Sequence, residues 1–175
     1  MCILESERLI LRPPRPADIQ SMTVWLGDFD VARMTSRVPH PYGEGDAETF
    51  LALADEHRFV IERKSDGLFL GMTGLYGPDG REPGYEFGYW LGKPFWGFGY
   101  ATEAASAALA FAFDRLGAAR VPSRVFADNA ASWNVQRKLG FTIVGPGKGF
   151  CLARNAEVDD LETVLLRERF NRQHP

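Results

Sequence analysis

The sequence predicts an α+β fold, in which helices pack on a twisted, largely antiparallel sheet of about seven strands. Short runs that alternate apolar and polar residues recur along the chain, and such runs are typical of half-buried strands. Other segments carry apolar residues at the three-to-four spacing of a helix. Tight turns such as Ser65-Asp66-Gly67 join neighbouring strand-like runs, which indicates antiparallel hairpins.

The first third of the chain predicts one strand and two helices. Residues 8–12 form an apolar strand that ends at the Pro13-Pro14 pair. Asp18 is a suitable N-cap for the first helix, and a second helix begins at Asp46. The segment between them, 31–45, is rich in Pro and Gly, so we expect a long irregular loop that shapes a ligand site.

The rest of the chain predicts six further strands and two helices. Pro122 lies in one of the strands and indicates that part of this strand is unpaired on one side. The strands are expected at 58–63, 68–75, 85–91, 120–127, 141–144 and 161–166, with turns at 65–67 and 78–80, and the helices at 100–116 and 129–139.

Length and composition narrow the class of protein. A chain of 175 residues with 45% hydrophobic and 25% charged residues is expected to form one globular domain over 1–175. The formal net charge of -3 disfavours a general nucleic-acid binder. The chain has no apolar stretch near the roughly 20 residues that cross a bilayer. Its N-terminus does not resemble a signal peptide, so we expect a cytoplasmic protein with no membrane partner.

The cysteines and histidines give no sign of a disulfide framework or a metal site. The cysteines are Cys2 and Cys151, and one such pair is not needed to stabilise a chain of this length. His40, His57 and His174 lack the spacing of metal ligands. We therefore expect no bound metal.

The most informative local feature is the segment 94–104, Pro-Phe-Trp-Gly-Phe-Gly-Tyr-Ala-Thr-Glu-Ala. Its glycines, Gly97 and Gly99, stand between a strand and a helix, where the free N–H groups and the helix dipole favour an anion. This pattern predicts a phosphate site, although a plain packing turn would give the same residues. The chain lacks the lysine signature of a P-loop, and the hairpins before the turn argue against a Rossmann unit.

The surroundings of this turn resemble a known family. In order, the segments are 7–13, Glu-Arg-Leu-Ile-Leu-Arg-Pro; 86–91, Glu-Phe-Gly-Tyr-Trp-Leu; the glycine turn; and 129–141, which begins Asn-Ala-Ala-Ser-Trp-Asn. This set resembles the GNAT superfamily of acetyl-CoA-dependent N-acetyltransferases, most closely the branch with bacterial acetyltransferases of ribosomal-protein N-termini. The resemblance covers nearly the whole chain, and it implies a splayed pair of central strands, acetyl-CoA as co-substrate and an amine acceptor.

The resemblance also implies roles for individual residues. Glu86 is the candidate general base, acting through water. Ser132 meets the thiol end of the donor. It is also the candidate stand-in for the acid, because Gln136, which cannot donate a proton as a phenol can, occupies the position where many members carry a tyrosine. The implied catalytic residues are thus Glu86 and Ser132, and the implied acetyl-CoA-binding residues are Tyr89, Trp90, Leu91, Trp96, Gly97, Phe98, Gly99, Tyr100, Ala101, Thr102, Asn129 and Asn134.

Two positions of the turn depart from the superfamily. Trp96 stands where Arg or Gln is usual, and Phe98 stands where lysine is common. Backbone amides would then carry most of the contact to the phosphates, with added charge from Lys93, Arg137 or Lys138.

Several alternatives remain open at this point. Glu86 could orient the substrate without taking its proton, and Asn129 and Ser132 could serve only to cap a helix. We expect the acceptor to be an α-amino group of a protein or peptide, by family likeness. The alternatives are a small amine, such as a polyamine, amino acid or aminoglycoside, and a non-catalytic CoA-binding module. A monomer or homodimer is typical of such folds.

Overall fold

The structure is a computed structural model that describes residues 2–77 and 84–173. Within these residues eight strands form one sheet in the spatial order β1-β2-β3-β4-β5-β6-β8-β7. Neighbouring strands are antiparallel except β5 and β6, which are parallel. The strands are β1 (Leu4–Glu5), β2 (Leu9–Arg12), β3 (Arg58–Arg63), β4 (Phe69–Tyr76), β5 (Glu86–Leu91), β6 (Arg120–Phe126), β7 (Thr142–Cys151) and β8 (Ala156–Leu166).

Helices cover both faces of the sheet, which confirms the predicted fold class. Along β3, Phe59 and Ile61 join the core under α4 and α5, whereas Val60 joins the core under α1 and α3, because successive side chains alternate. The helices are α1 (Ile19–Leu26), α2 (Phe29–Ala32), α3 (Glu44–Leu53), α4 (Tyr100–Asp114), α5 (Ala130–Leu139) and α6 (Arg167–Gln173), with short 3-10 turns at Pro16–Asp18 and Lys93–Phe95.

The structure differs from the predicted elements in three short elements and in one hairpin. The short elements that the sequence did not predict are β1, α2 and α6. The expected turn at 78–80 lies outside the described residues. The larger difference is the C-terminal hairpin. Its strands, β7 and β8, run through a segment that was expected to be a Gly-rich turn, 145–160. Glycine lowers strand propensity, so the pattern argued against a strand, but the long pairing with β8 outweighs it.

The central strands β5 and β6 separate, as the family resemblance implied. Among the described residues they pair only at Phe87 and Ser123, although β5 pairs with β4 along its whole length. The Ser123 hydroxyl donates a 2.8 Å hydrogen bond to the Phe87 carbonyl oxygen and closes the narrow end of the gap. Pro122 precedes Ser123 and lies in the part of β6 that does not pair with β5. This agrees with the prediction that part of this strand is unpaired on one side.

Candidate active site

The gap between β5 and β6 belongs to a cleft of about 1890 Å³. Both walls carry residues that the sequence singled out. Phe98 is not in the described lining, and its ring is 62% exposed. The residues of the expected site that line the cleft are Glu86, Tyr89, Trp90, Leu91, Trp96, Gly97, Gly99, Tyr100, Ala101, Thr102, Asn129, Ser132 and Asn134.

The glycine turn lies at the open end of β5. Gly97 and Gly99 have φ values of 82° and 81°, which glycine adopts without the strain that a side chain would add. Gly99 is the N-cap of α4, so the first N–H groups of that helix project toward the cleft without helical partners. The indole N–H of Trp96 donates to the Leu91 carbonyl oxygen at 2.9 Å and ties the turn to the end of β5. This geometry suits an anion such as a pyrophosphate.

Arg8 places a cation beside this turn, which the sequence did not reveal. Its guanidinium donates to the Phe98 carbonyl oxygen at 3.1 Å and lies 4.6 Å from the Tyr100 ring centre. It is also paired with Glu103 at 2.7 Å, so its charge is partly compensated. Two of the cations considered from the sequence are engaged elsewhere: Lys93 pairs with Asp30 at 2.6 Å, and Arg137 bonds Asn134 at 3.2 Å. Lys138 lines the cleft.

The β5 backbone presents alternate residues to the gap. The Phe87 carbonyl faces β6, since Ser123 donates to it, and the Leu91 carbonyl faces the same side, where Trp96 donates to it. Backbone groups of alternate residues in a strand point to the same side. The N–H of Tyr89 therefore faces the gap as well. Trp90 presents its backbone to β4 instead, where it pairs with Met72.

Tyr89 and Ser132 link the two walls of the cleft. The Tyr89 hydroxyl lies 3.1 Å from the Ser132 hydroxyl and donates to it. Burial raises the pKa of Tyr89 to about 12, although the bond to Ser132 opposes this shift, so the phenol stays protonated in the neutral range. The Asn129 side chain accepts a 3.1 Å bond from the Ser132 N–H and caps α5. Ser132 thus donates a hydrogen bond from its backbone N–H and accepts one at its hydroxyl, which is held at the gap.

Gln136, at the position of the usual tyrosine, has a structural set of partners. It is 2% exposed, donates to the Ser123 hydroxyl at 2.9 Å and accepts from the Thr163 hydroxyl at 2.7 Å. Because Ser123 in turn bonds the Phe87 carbonyl, this network joins α5, β8 and β6 to β5 at the narrow end of the gap. The amide is a second partner for each of two buried hydroxyls, since Ser123 also bonds the Phe87 carbonyl and Thr163 also lies 3.0 Å from the Ser123 carbonyl oxygen. Gln136 therefore holds the two strands at the point from which they diverge.

Glu86 begins β5 on the opposite face of the sheet from Phe87. It is half-buried, and its cross-strand partner is Tyr76. The guanidinium groups of Arg58 and Arg37 lie 3.8 Å and 5.7 Å from the centre of the Tyr76 ring. Burial raises the pKa of Tyr76, and the two arginines oppose that rise. The carboxylate of Glu86 thus lies in a cleft wall that also carries positive charge, at the narrow end of the gap.

A splayed strand pair, a glycine turn that opens a helix and a carboxylate beside the gap are together the features that the resemblance implied. The profile of a family described as "Acetyltransferase (GNAT) domain" matches residues 8–142. The chain belongs to the GNAT acetyltransferase family. It is therefore an N-acetyltransferase of the class that uses acetyl-CoA and an amine acceptor.

Two curated relatives of this GNAT acetyltransferase come from Bacillus subtilis. The uncharacterized N-acetyltransferase YoaA is 30% identical over 145 residues, which cover 79% of this chain and 82% of the relative. The prophage-derived uncharacterized N-acetyltransferase YokL is 32% identical over 173 residues, 96% of this chain and 95% of the relative. The match to YokL thus extends over nearly the whole length of this chain and of YokL.

Solved structures share the fold at lower identity. A GNAT acetyltransferase from Bacillus anthracis has a TM-score of 0.83 at 23% identity and covers 95% of this chain and 99% of its own. A spermidine N-acetyltransferase from Vibrio cholerae, in complex with CoA and spermine, has a TM-score of 0.77 at 19% identity and covers 95% of this chain and 99% of its own. The ribosomal-protein-S5-alanine acetyltransferase from Vibrio fischeri has a TM-score of 0.78 at 16% identity and covers 97% of this chain and 99% of its own.

None of the described helices is both long enough and apolar enough to cross a membrane. No group of three or more His, Cys, Asp or Glu side chains in the described part of the chain is arranged to hold a metal ion.

Proposed function

We propose that this enzyme transfers the acetyl group of acetyl-CoA to an α-amino group of a protein or peptide, by direct attack in a ternary complex. The observation that carries the proposal is the gap between β5 and β6, which pair only at Phe87 and Ser123 among the described residues. The donor enters from the side of the glycine turn, and the acceptor enters from the face that carries Glu86. One domain, residues 1–175, suffices for both.

The donor is held mainly by backbone groups. The N–H groups of residues 97–102 surround the pyrophosphate at the start of α4, and the N–H of Tyr89 faces the gap, where the pantetheine arm lies. Asn129 and Asn134 line the same wall on α5 and contact the arm from the other side. Bound acetyl-CoA supplies an activated thioester; the protein supplies its position.

The chemistry divides between the two faces of the cleft. The acceptor amine must lose a proton before it attacks, since an α-amino group titrates near pH 8. Glu86 takes this proton through water. The nitrogen then bonds to the carbonyl carbon, and the Tyr89 N–H stabilises the negative charge that develops on the carbonyl oxygen. The carbon–sulfur bond breaks and the nitrogen releases its second proton to water, which leaves the amide. The Ser132 hydroxyl, held by Tyr89 at 3.1 Å, donates to the departing thiolate a hydrogen bond, or a proton that water then replaces.

The choice of acceptor rests on the relatives. The Vibrio fischeri neighbour is named for the alanine of ribosomal protein S5, which supports a protein acceptor. The Vibrio cholerae neighbour, with spermine bound, supports a small polyamine as the second candidate. The third candidate, a non-catalytic CoA-binding module, drew support from Gln136 as a lost acid. That support is weaker now, because Gln136 serves the network at the narrow end of the gap.

The proposal is tested by release of free CoA thiol from acetyl-CoA. The acceptors are peptides that begin with Ser or Ala, the same peptides with a blocked N-terminus, and a set of small amines. We expect release with the free peptides and none with the blocked ones, and initial-rate lines that intersect when both substrates are varied. Release only with small amines would show that the acceptor is a small amine rather than a protein or peptide. Binding of acetyl-CoA with no acceptor-dependent release would favour the non-catalytic CoA-binding module.

Ser132→Ala is expected to slow turnover by about 10-fold to 100-fold, the usual contribution of a general acid. The effect is limited because a thiolate, with a conjugate-acid pKa of about 8.5, leaves with little help. The measurement is kcat in the thiol-release assay, with acetyl-CoA affinity measured separately by calorimetry. Ser65→Ala, in the exposed 65–67 turn, is the matched control and should be as active as wild type. A loss far above 100-fold with intact donor binding would show that the thiolate depends on its acid.

A further inference from the structure

Asp160, on β8, is a buried carboxylate that the proposed reaction does not use. It is 3% exposed and belongs to the lining of the cleft. Its Oδ1 atom has no hydrogen-bond partner among the described residues. An unsatisfied buried polar atom is costly, so such an atom in a cleft points to a partner that arrives with a ligand.

The neighbouring strand leaves room for this carboxylate. Gly147 and Gly149 of β7 lie beside Asp160, and a Cβ atom at either glycine would come within 3.0 Å of a carboxylate oxygen. Glycine is otherwise unfavourable in a strand interior. The glycines because of which this segment was expected to be a turn therefore provide the space in which the Asp160 side chain lies.

The local charge around Asp160 is negative. Arg124 approaches Oδ2 at 3.5 Å, but its guanidinium also pairs closely with Glu162. Burial raises the pKa of Asp160, Glu162 and Asp159 add to the rise, and Arg124 opposes it. On this face of β8 one arginine, Arg124, is thus shared between two carboxylates, Asp160 and Glu162, and a further cation would be favoured at this site.

Asp160 and Glu86 project from the same face of the sheet. Ser123 and Thr163 point to α5, where both bond Gln136. Asp160 is three residues before Thr163, so its side chain points to the opposite face, as Glu86 does relative to the core residue Phe87. Three residues of strand span roughly 10 Å, so Asp160 stands that far along β8 from the narrow end of the gap.

We propose that Asp160 binds a positively charged group of the acceptor, separate from the amine that is acetylated. This inference rests on the proposed function and narrows its substrate class. The ligand chemistry is an ammonium or guanidinium group, which a basic residue a few positions into a peptide or the far end of a polyamine would supply. The cation hydrogen-bonds the free Oδ1 and offsets the cost of its burial.

The test compares Asp160→Asn with Asp159→Asn, a control on the same strand whose side chain is 78% exposed and pairs loosely with Lys148. The acceptors are two peptides that begin with Ser and differ only in carrying Lys or norleucine at the fourth position, together with spermidine and a monoamine of equal length. We expect Asp160→Asn to raise KM for the Lys peptide or spermidine about 10-fold, the scale of one charge-assisted bond. The norleucine peptide and the monoamine should be unaffected, and Asp159→Asn should change neither.

The outcomes separate the proposal from its alternatives. A selective loss on the Lys peptide identifies a basic peptide, and a selective loss on spermidine identifies a polyamine. Equal loss on charged and uncharged acceptors, or no loss, overturns the proposal. Thermal melting accompanies the assay. Asp160→Asn should melt at or above the wild-type temperature, since it removes a buried carboxylate whose charge Arg124 compensates only in part. A lower Tm with uniform loss of activity would mean a structural role.

Failure of the proposed function is distinguishable from failure of this inference. If wild type acetylates none of these acceptors, the acceptor class is wrong, and spermidine is then titrated calorimetrically into wild type and Asp160→Asn. Binding that weakens about 10-fold in the variant supports the cation site. Equal binding, or none to wild type, overturns it.

Discussion

Thr102→Glu is expected to weaken acetyl-CoA binding by about 100-fold while the protein stays as stable as wild type. Thr102 is half-buried in the first turn of α4 and lines the cleft. A carboxylate there would face the donor's pyrophosphate, and two unit charges about 6 Å apart at an effective dielectric constant of about 20 repel by about 3 kcal/mol, which corresponds to about 100-fold in affinity. The same carboxylate is favourable for the helix, because acidic residues stabilise helix N-termini.

Thr102→Gln is the matched control, since it has the same shape without the charge. Calorimetric titration with acetyl-CoA should show a loss of only a few-fold for Gln, and salt should narrow the difference between Glu and Gln. Thermal melting checks that both variants are folded. Equal affinities for the two variants would mean that no phosphate lies at this helix end.

Arg12→Ala is expected to destabilise the protein by about 3–5 kcal/mol. Arg12 is 9% exposed and bonds both oxygens of the buried Asp18 at 2.8 and 2.9 Å. It also bonds Glu62 at 2.6 Å, so the guanidinium joins β2, β3 and the turn before α1. Its removal leaves two carboxylates without their main cation in a protein interior, which is the costly way to break a buried ion pair.

Urea unfolding measures the free energy of unfolding of this variant. Lys64→Ala is the control, because Lys64 makes an exposed ion pair with Glu5 at 2.8 Å and such pairs contribute about 1 kcal/mol or less. If Arg12→Ala cost no more than Lys64→Ala, the two carboxylates would have found other compensation. Since Arg12 lies outside the cleft lining of the described residues, the folded fraction should keep its affinity for acetyl-CoA.

The Gln136 network has a consequence for how the site is held open. A gap between parallel neighbours in the middle of a sheet is unusual, because unpaired strand edges expose backbone groups. Buried hydrogen bonds are concentrated where β5 and β6 pair, and they involve Ser123, Gln136 and Thr163. At the wide end of the gap, the Trp96 indole N–H donates to the Leu91 carbonyl oxygen. The backbone groups between these two points are left for a ligand.

Most secondary structure could be predicted from the sequence, because its signals are local. Asn129 caps α5 and Gly140 ends it with a φ of 97°, as their residue types indicate. Gly97 and Gly99 mark the turn for the same reason. Boundaries moved by a few residues, as for the helix expected at Asp46 that begins at Glu44. The prediction of a turn at 145–160 was wrong because Gly147 and Gly149 make room for the Asp160 side chain of β8. A contact with another strand leaves no signal in the local sequence pattern.

The order of the elements and the position of the glycine turn follow from local signals in the sequence, and the family and the candidate site residues follow from resemblance. The contacts between side chains become visible in the folded chain: Arg8 with the turn around Phe98, Tyr89 with Ser132, Gln136 with Ser123 and Thr163, and Asp160 with the glycines of β7. Most of these partners are distant in sequence. The exceptions are Gln136 with Ser123 and Asp160 with the glycines of β7. Their contacts depend on strand register and helix docking, which are set by the packing of the whole sheet rather than by any short segment.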